Sequence, residues 1–235
     1  MPTLNFCAIN SIMDNIIIIG SSGHAKVTID VVQHENKFRI VGLIDRFRNI
    51  GEETMGYTIL GKEDDLPKLI RTHELNGAIV AIGDNFIRAN VVAHVKEISP
   101  ELSFVSAIHP RATIANGVSI GEGTIVMAGA AINSCSSVGK FCIINTNSSL
   151  DHDSILNDFA SLAPGATIGG NCHIGIYSAI GIGAVLTNGI NIGEHTVIGA
   201  GSLVMNSMKS YIVAYGTPTK EIRNRKPGEK YLSHA

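Results

Sequence analysis

A chain of 235 residues has room for two modest domains. Its formal net charge of −2 leaves no polybasic footprint, which argues against nucleic acid or an anionic membrane surface as partner. Trp is absent and aromatic residues make up only 5%, a composition that suits a thin core better than a layered sandwich.

Residues 1–14 read as a loose extension without the basic leader of a secretory signal, and no stretch is long and apolar enough to span a membrane. Asn15–Ile19 is a short apolar strand, ended by the turn Gly20-Ser21-Ser22-Gly23-His24, and an amphipathic helix follows from Ala25 to about His34. Arg39–Ile44 reads as a second strand that stops at Asp45-Arg46. Asp64–Leu75 reads as a helix and Ala78–Ile82 as another buried strand. Gly83-Asp84-Asn85 offers a turn and an N-cap for a helix through Glu97. This alternation predicts a small parallel sheet with Rossmann-like winding over 15–105.

Two features of this half carry chemistry. The Gly20–Gly23 turn brings backbone N–H groups to a helix N-terminus, a seat for phosphate. Its spacing is Gly-x-x-Gly and not Gly-x-Gly-x-x-Gly, which weakens a nicotinamide reading. Asp45 ends the second strand, where an acid accepts hydrogen bonds from a ribose or a base. A tight turn and a solvated acid explain the same residues, and spacing does not choose between the two. His24 either caps the helix or touches a diphosphate.

From Ile108 to Val204 every sixth residue is aliphatic, seventeen in succession, and the register never slips. The residue four later is Ala, Ser, Cys, Thr or Val in the first sixteen repeats, except for the larger Ile190. A period of six is the mark of a parallel β-helix, three short sides closing a coil of about 18 residues. Coils stack about 4.8 Å apart, with the aliphatic residue inside a triangular prism. The residue after each aliphatic is expected at the corner, where Gly121, Gly139 and Gly175, or Asn133, Asn145 and Asp151, suit a left-handed turn. The domain from 106 to 235 is therefore expected to be all-β, with its C-terminal tail as a cap.

Chemistry on a prism must come from outward residues. Asp151-His152-Asp153 is the sharpest group, because a carboxylate beside an imidazole fixes its tautomer and raises its basicity. A solvated histidine flanked by acids accounts for the same three residues. His152, His173 and His195 occupy different positions within their repeats, so no zinc column is expected. The four cysteines, Cys7, Cys135, Cys142 and Cys172, show no CxxC spacing and read as reduced packing residues of a cytosolic protein. After Val204 the period is lost. Tyr215–Lys220 is a turn, and the basic run with Arg223, Arg225, Lys226 and Lys230 either caps the open prism end or meets a cofactor's phosphates.

The chain resembles the sialic-acid O-acetyltransferase-like sugar O-/N-acyltransferases. The resemblance is carried by Ile-Ile-Ile-Gly-Ser-Ser-Gly-His-Ala (17–25), Ala-Ile-Gly-Asp-Asn (81–85) with Arg88, Ile-His-Pro (108–110), Asn145 through Asp153, Ala-Pro-Gly-Ala (163–166) and Gly-Thr-Pro (216–218). It implies a left-handed coil, against the usual right-handed crossover. It implies His152 as general base, Asp153 as the acid that orients it, and Asn145 in the active-site cleft. Gly20, Ser21, Gly23, His24, Asp45 and Arg46 would hold a nucleotide-linked amino sugar. Acetyl-CoA would lie along the prism between subunits of a homotrimer, past Ser161, Gly170, Ile182 and Gly199 to Gly216 and Lys220, with the Gly170 amide on the thioester carbonyl. Many members carry a second histidine, which resembles an acetyl-CoA contact, where this chain has Ser161.

The expected function is acetyl-CoA-dependent N-acetylation of a nucleotide-linked 4-amino-4,6-dideoxy sugar, without metal, in cytoplasmic steps of bacterial polysaccharide biosynthesis. O-acetylation of sialic acid or a related sugar is the alternative, and a non-catalytic nucleotide-sugar scaffold is a third reading.

Overall fold

The computed structural model describes residues 13–232. Most of the expected extension over 1–14, Cys7 included, lies outside the described residues. The first unit runs β1 (Asp14–Ile19), α1 (Gly23–Glu35), β2 (Phe38–Ile44), β3 (Glu53–Thr54), β4 (Tyr57–Gly61), α2 (Leu66–His73), β5 (Gly77–Val80), α3 (Asn85–Ile98) and β6 (Ser103–Phe104). The sheet order is β3-β4-β2-β1-β5-β6, parallel except for β3 against β4. Ile16, Ile17, Ile18 and Ile19 are buried on both faces of β1, as a central parallel strand requires. From β1 the chain winds to β2 on one side and later places β5 on the other. That switch leaves a crevice outside the strands' carboxyl ends, where the Gly20 turn sits. As expected, the Asp84 side chain caps α3, accepting from the amides of Phe86 and Ile87 at 3.0 Å. The strands β3, β4 and β6 were not anticipated; β3 and β6 have two residues each, too few to show a period.

The prism has three faces. The first begins with Ala107–Ile108 and Ile125–Val126, the second with Thr113–Ile114 and Ala131–Ile132, the third with Ser119–Ile120 and Ser137–Val138. Each strand pairs in parallel with the one 18 residues on, as in Ile125↔Ile143 and Val126↔Ile144. The aliphatic row is buried from Val126 to Val204. At the open first coil it is not, and Ile114 is 36% exposed.

The corner geometry corrects the sequence reading. The left-handed residue lies three after each aliphatic from Ile114 to Ile198, not one: Gly117, Gly123, Gly129, Cys135, Phe141, Asn147, Asp153, Phe159 and onward to Gly201 all have positive φ. The glycines directly after the aliphatic serve a different need, close coil-to-coil approach. A Cβ on Gly175 would meet Glu194 N at 2.5 Å. Each non-glycine residue in the left-handed slot costs about 1 kcal/mol. The turns are held because their amides reach the preceding coil, as Phe141 N–H does to Glu122 O at 2.8 Å. Cys142 and Cys172 are buried as expected, but Cys135 occupies the exposed turn slot and is no packing residue.

The corner between the third and first faces docks the first unit. There Phe141, Phe159, Tyr177, His195 and Tyr211 stack ring on ring, 4.6–5.4 Å apart. The buried Arg88 of α3 donates to the carbonyls of Phe141 (2.8 Å) and Phe159 (3.0 Å), and Asn85 donates to that of Ser178 (3.0 Å). At the far end, Ile212–Gly216 continues the first face beside Val197–Ile198, and Thr219–Asn224 folds back antiparallel along it. The tail thus caps the prism with a hairpin. Its basic run is not a free strip: Arg225 is buried and donates to His195 O at 2.9 Å, and Arg223 pairs with Glu229 at 2.6 Å.

Candidate active site

Leu150 ends a strand of the second face and Ile155 begins one of the third, so Asp151–Ser154 make the corner between them. Asp153 fills the left-handed slot (φ 57°), which turns its carboxylate back on its neighbour. His152 Nδ1 donates to Asp153 Oδ2 at 2.8 Å, leaving Nε2 as the nitrogen with a free lone pair. That bond, reinforced by the charge of Asp151, raises the His152 pKa above the ordinary histidine value. Asp151 is itself held ionised: Asn133 donates to it at 2.7 Å and the His152 amide at 2.8 Å, and its pKa falls. The imidazole is half-exposed and lies over Gly170 of the next coil, where a Cβ would stand 2.6 Å from Nε2. Gly170 is therefore what makes room for the ring. Its amide donates to Asn188 Oδ1 at 3.2 Å, so it reaches another acceptor only when Asn188 turns aside.

Asn145, expected in the active-site cleft, and the other expected cofactor residues stand elsewhere. Asn145, Ile182 and Gly199 lie on the corner between the first and second faces, Ser161 on the first face, and Gly216 and Lys220 on the terminal hairpin. Ile182 is 61% exposed. Gly199 is required by the hairpin, since a Cβ there would meet that of Tyr215 at 2.7 Å. Within one chain none of these residues shares the corner that carries His152.

At the sheet's switch point, Ser21, Ser22, Gly23, Lys26, Asp45, Phe47, Arg48, Glu53, Thr54 and Met55 line an open cavity of about 570 Å³. Gly20 has φ 105°, and a Cβ there would lie 2.9 Å from Ala81 O. Asp45 Oδ2 accepts from Ser21 Oγ at 2.6 Å and Oδ1 from Phe47 N at 2.8 Å, so the acid also braces the turn and the loop after it. Arg46 is directed away, toward Glu63 at 3.4 Å. His24 does not cap α1, whose N-cap is Ser22. Its Nε2 is buried without a partner among the described residues, and burial together with the charge of Arg88 pulls its pKa down to about 3. The sequence reading missed Lys26, Phe47, Arg48, Glu53 and Met55. The only signal was their place after Gly23 and Asp45, where an α/β crevice opens. Among the described residues one group with metal-ligating atoms lies together, Asp30, His34 and His109, remote in sequence from His152. His109 Nδ1 accepts from the Arg111 amide at 3.0 Å, which leaves the proton on Nε2 and makes this ring a poor ligand.

Residues 15–95 match the family model described as the PglD N-terminal domain. A UDP-N-acetylbacillosamine N-acetyltransferase of Bacillus subtilis is 30% identical over 117 residues, 49% of this chain; the match spans about half (52%) of that curated relative. Among solved structures, a GDP-perosamine N-acetyltransferase of Caulobacter crescentus, in complex with CoA and GDP-perosamine, superposes with a TM-score of 0.85 at 33% identity, covering 91% of this chain and 99% of that one. The acetyltransferase domain of PglB from Neisseria gonorrhoeae, in complex with acetyl coenzyme A, does so with a TM-score of 0.81 at 28% identity, covering 89% and 100%. Identity at that level over nearly the whole of both chains is kinship and not shared fold alone, and the chain belongs to the sialic-acid O-acetyltransferase-like sugar acyltransferase family, with its Rossmann-like unit and left-handed β-helix.

Proposed function

We propose that the protein transfers the acetyl group of acetyl-CoA to the amine of a nucleotide-linked amino sugar, with His152 as general base. The observation that carries this reading is the His152 imidazole, fixed at Nδ1 by Asp153 and open at Nε2 over Gly170. The amine nitrogen attacks the thioester carbonyl carbon while Nε2 takes its proton. The Gly170 amide, released from Asn188, donates to the oxyanion. Collapse breaks the C–S bond, and the imidazolium returns the proton to the leaving thiolate.

The cavity beside Gly20–Gly23 holds the nucleotide, and the unit over 15–105 thereby presents the sugar to the prism over 106–235. Acetyl-CoA lies along the corner with Asn145, Ile182 and Gly199 and ends near Gly216 and Lys220. Because that corner and His152 are apart in one chain, the reactants meet between subunits, which a homotrimer provides. The Gly-x-x-Gly seat favours a nucleotide-linked acceptor over free sialic acid, and the relatives named above are N-acetyltransferases. A 4-amino-4,6-dideoxy sugar, destined for a bacterial glycan, is the acceptor proposed.

His152→Ala should lower kcat/KM by about 10²–10⁴-fold, the usual contribution of a positioned base, without lowering the melting temperature. Coupled thiol release from acetyl-CoA with a panel of nucleotide amino sugars measures it. Full turnover in a folded variant would refute the assignment.

A further inference from the structure

Kinship does not choose the base of the carrier nucleotide, since one relative is named for a UDP sugar and another for a GDP sugar. The loop after β2 does carry a choice. Phe47 is 92% exposed, the most exposed of the large apolar residues described. It lines the mouth of the cavity beside the Gly20–Gly23 turn, and its backbone is pinned there by the Asp45 carboxylate at 2.8 Å. Met55, 49% exposed, lines the same mouth. A phenyl ring held in water at an open cavity gains by stacking on a planar ligand.

The charged groups of the wall are not equally available. Asp45 is committed to Ser21 and Phe47, and Arg48 is committed to Glu52 at 2.7 Å and to Thr54 at 2.8 Å. Among the described residues, the Glu53 carboxylate and the Lys26 ammonium have neither a hydrogen bond nor an ion pair. Lys26 is in the first turn of α1, beside the N–H groups suited to a diphosphate. That leaves Glu53 to meet the base. A carboxylate only accepts hydrogen bonds. Guanine offers it two adjacent donors, N1–H and the N2 amino group. Uracil and thymine flank their single N–H with carbonyls, and adenine and cytosine set a bare ring nitrogen beside their amino group; a carboxylate repels these acceptors.

We propose that this cavity takes a guanine nucleoside diphosphate, with Phe47 stacked on the base and Glu53 accepting from its N1–H and N2 amino group. The inference rests on the nucleotide seat proposed above and adds its base. Calorimetric titration of the full chain with GDP, UDP, dTDP and ADP tests it. GDP should bind about tenfold or more tightly than the other three. Glu53→Gln should abolish that preference by weakening GDP, and the other three affinities should not fall. Phe47→Ala should weaken GDP by about tenfold while Phe47→Trp retains it. Equal affinity for all four, a preference for UDP, or a GDP preference that survives Glu53→Gln overturns the base assignment and leaves the seat standing. If none of the four binds, the seat itself is wrong, and the base assignment falls with it.

Discussion

At His152 the chemistry is set by three neighbours. Asp153 fixes the tautomer, Asp151 adds charge, and Gly170 leaves the ring its space. A base must be neutral to take a proton, and its raised pKa keeps His152 protonated to a higher pH than an ordinary histidine. The acid limb of kcat/KM should therefore fall above the ordinary histidine value. Asp153→Asn removes the largest cause of the shift, so the limb should move to lower pH while the plateau drops. A pH–rate profile of the two proteins checks both. A limb unmoved in Asp153→Asn would mean that another group titrates. The three residues in a row were legible in the sequence as a candidate. Their bond was not, because it depends on Asp153 taking the left-handed slot, and the sequence reading had put that slot two positions earlier.

At the scale of elements, the unit around β1 and the prism are joined through α3. The guanidinium of Arg88 is buried, and among the described residues no carboxylate pairs with it. It donates instead to the carbonyls of Ile82, Phe141 and Phe159 and to Asn85 Oδ1, at 2.8–3.0 Å. Two of those carbonyls belong to left-handed corner residues, so a helix of one unit clamps the strained turns of the other. Arg88→Lys keeps the charge and loses the fork, leaving buried carbonyls unpaired. It should cost about 2–4 kcal/mol in urea denaturation. A loss well below 1 kcal/mol would show that the clamp carries little. The helices and the strands β1, β2 and β5 of the first unit were read from periodicity within two residues of their ends. The strands β3, β4 and β6 and the terminal hairpin were not, since they exist through pairing with neighbours already in place.

Over the whole molecule, each corner of the prism has its own task. One docks the first unit through stacked aromatic rings, one carries His152, and one carries Asn145, Ile182 and Gly199. If catalysis needs the second and third corners together, two defects on different chains should complement. His152→Ala and Ile182→Trp, each inactive alone, should regain part of the activity when unfolded and refolded as a mixture. No recovery from a mixture proven to form mixed oligomers would place the whole site within one chain. By itself the sequence determined the prism, its inward row and the parallel sheet before it, because a strict period and buried strands are written in local patterns. It also named the candidate base. Only the tertiary structure decided which carbonyls Arg88 clamps, that Gly170 lies beneath His152, and that Phe47 and Glu53 face the cavity with Asp45. Those pairings join residues up to 71 positions apart in the chain, and contact at that distance is set by packing, which no local period records.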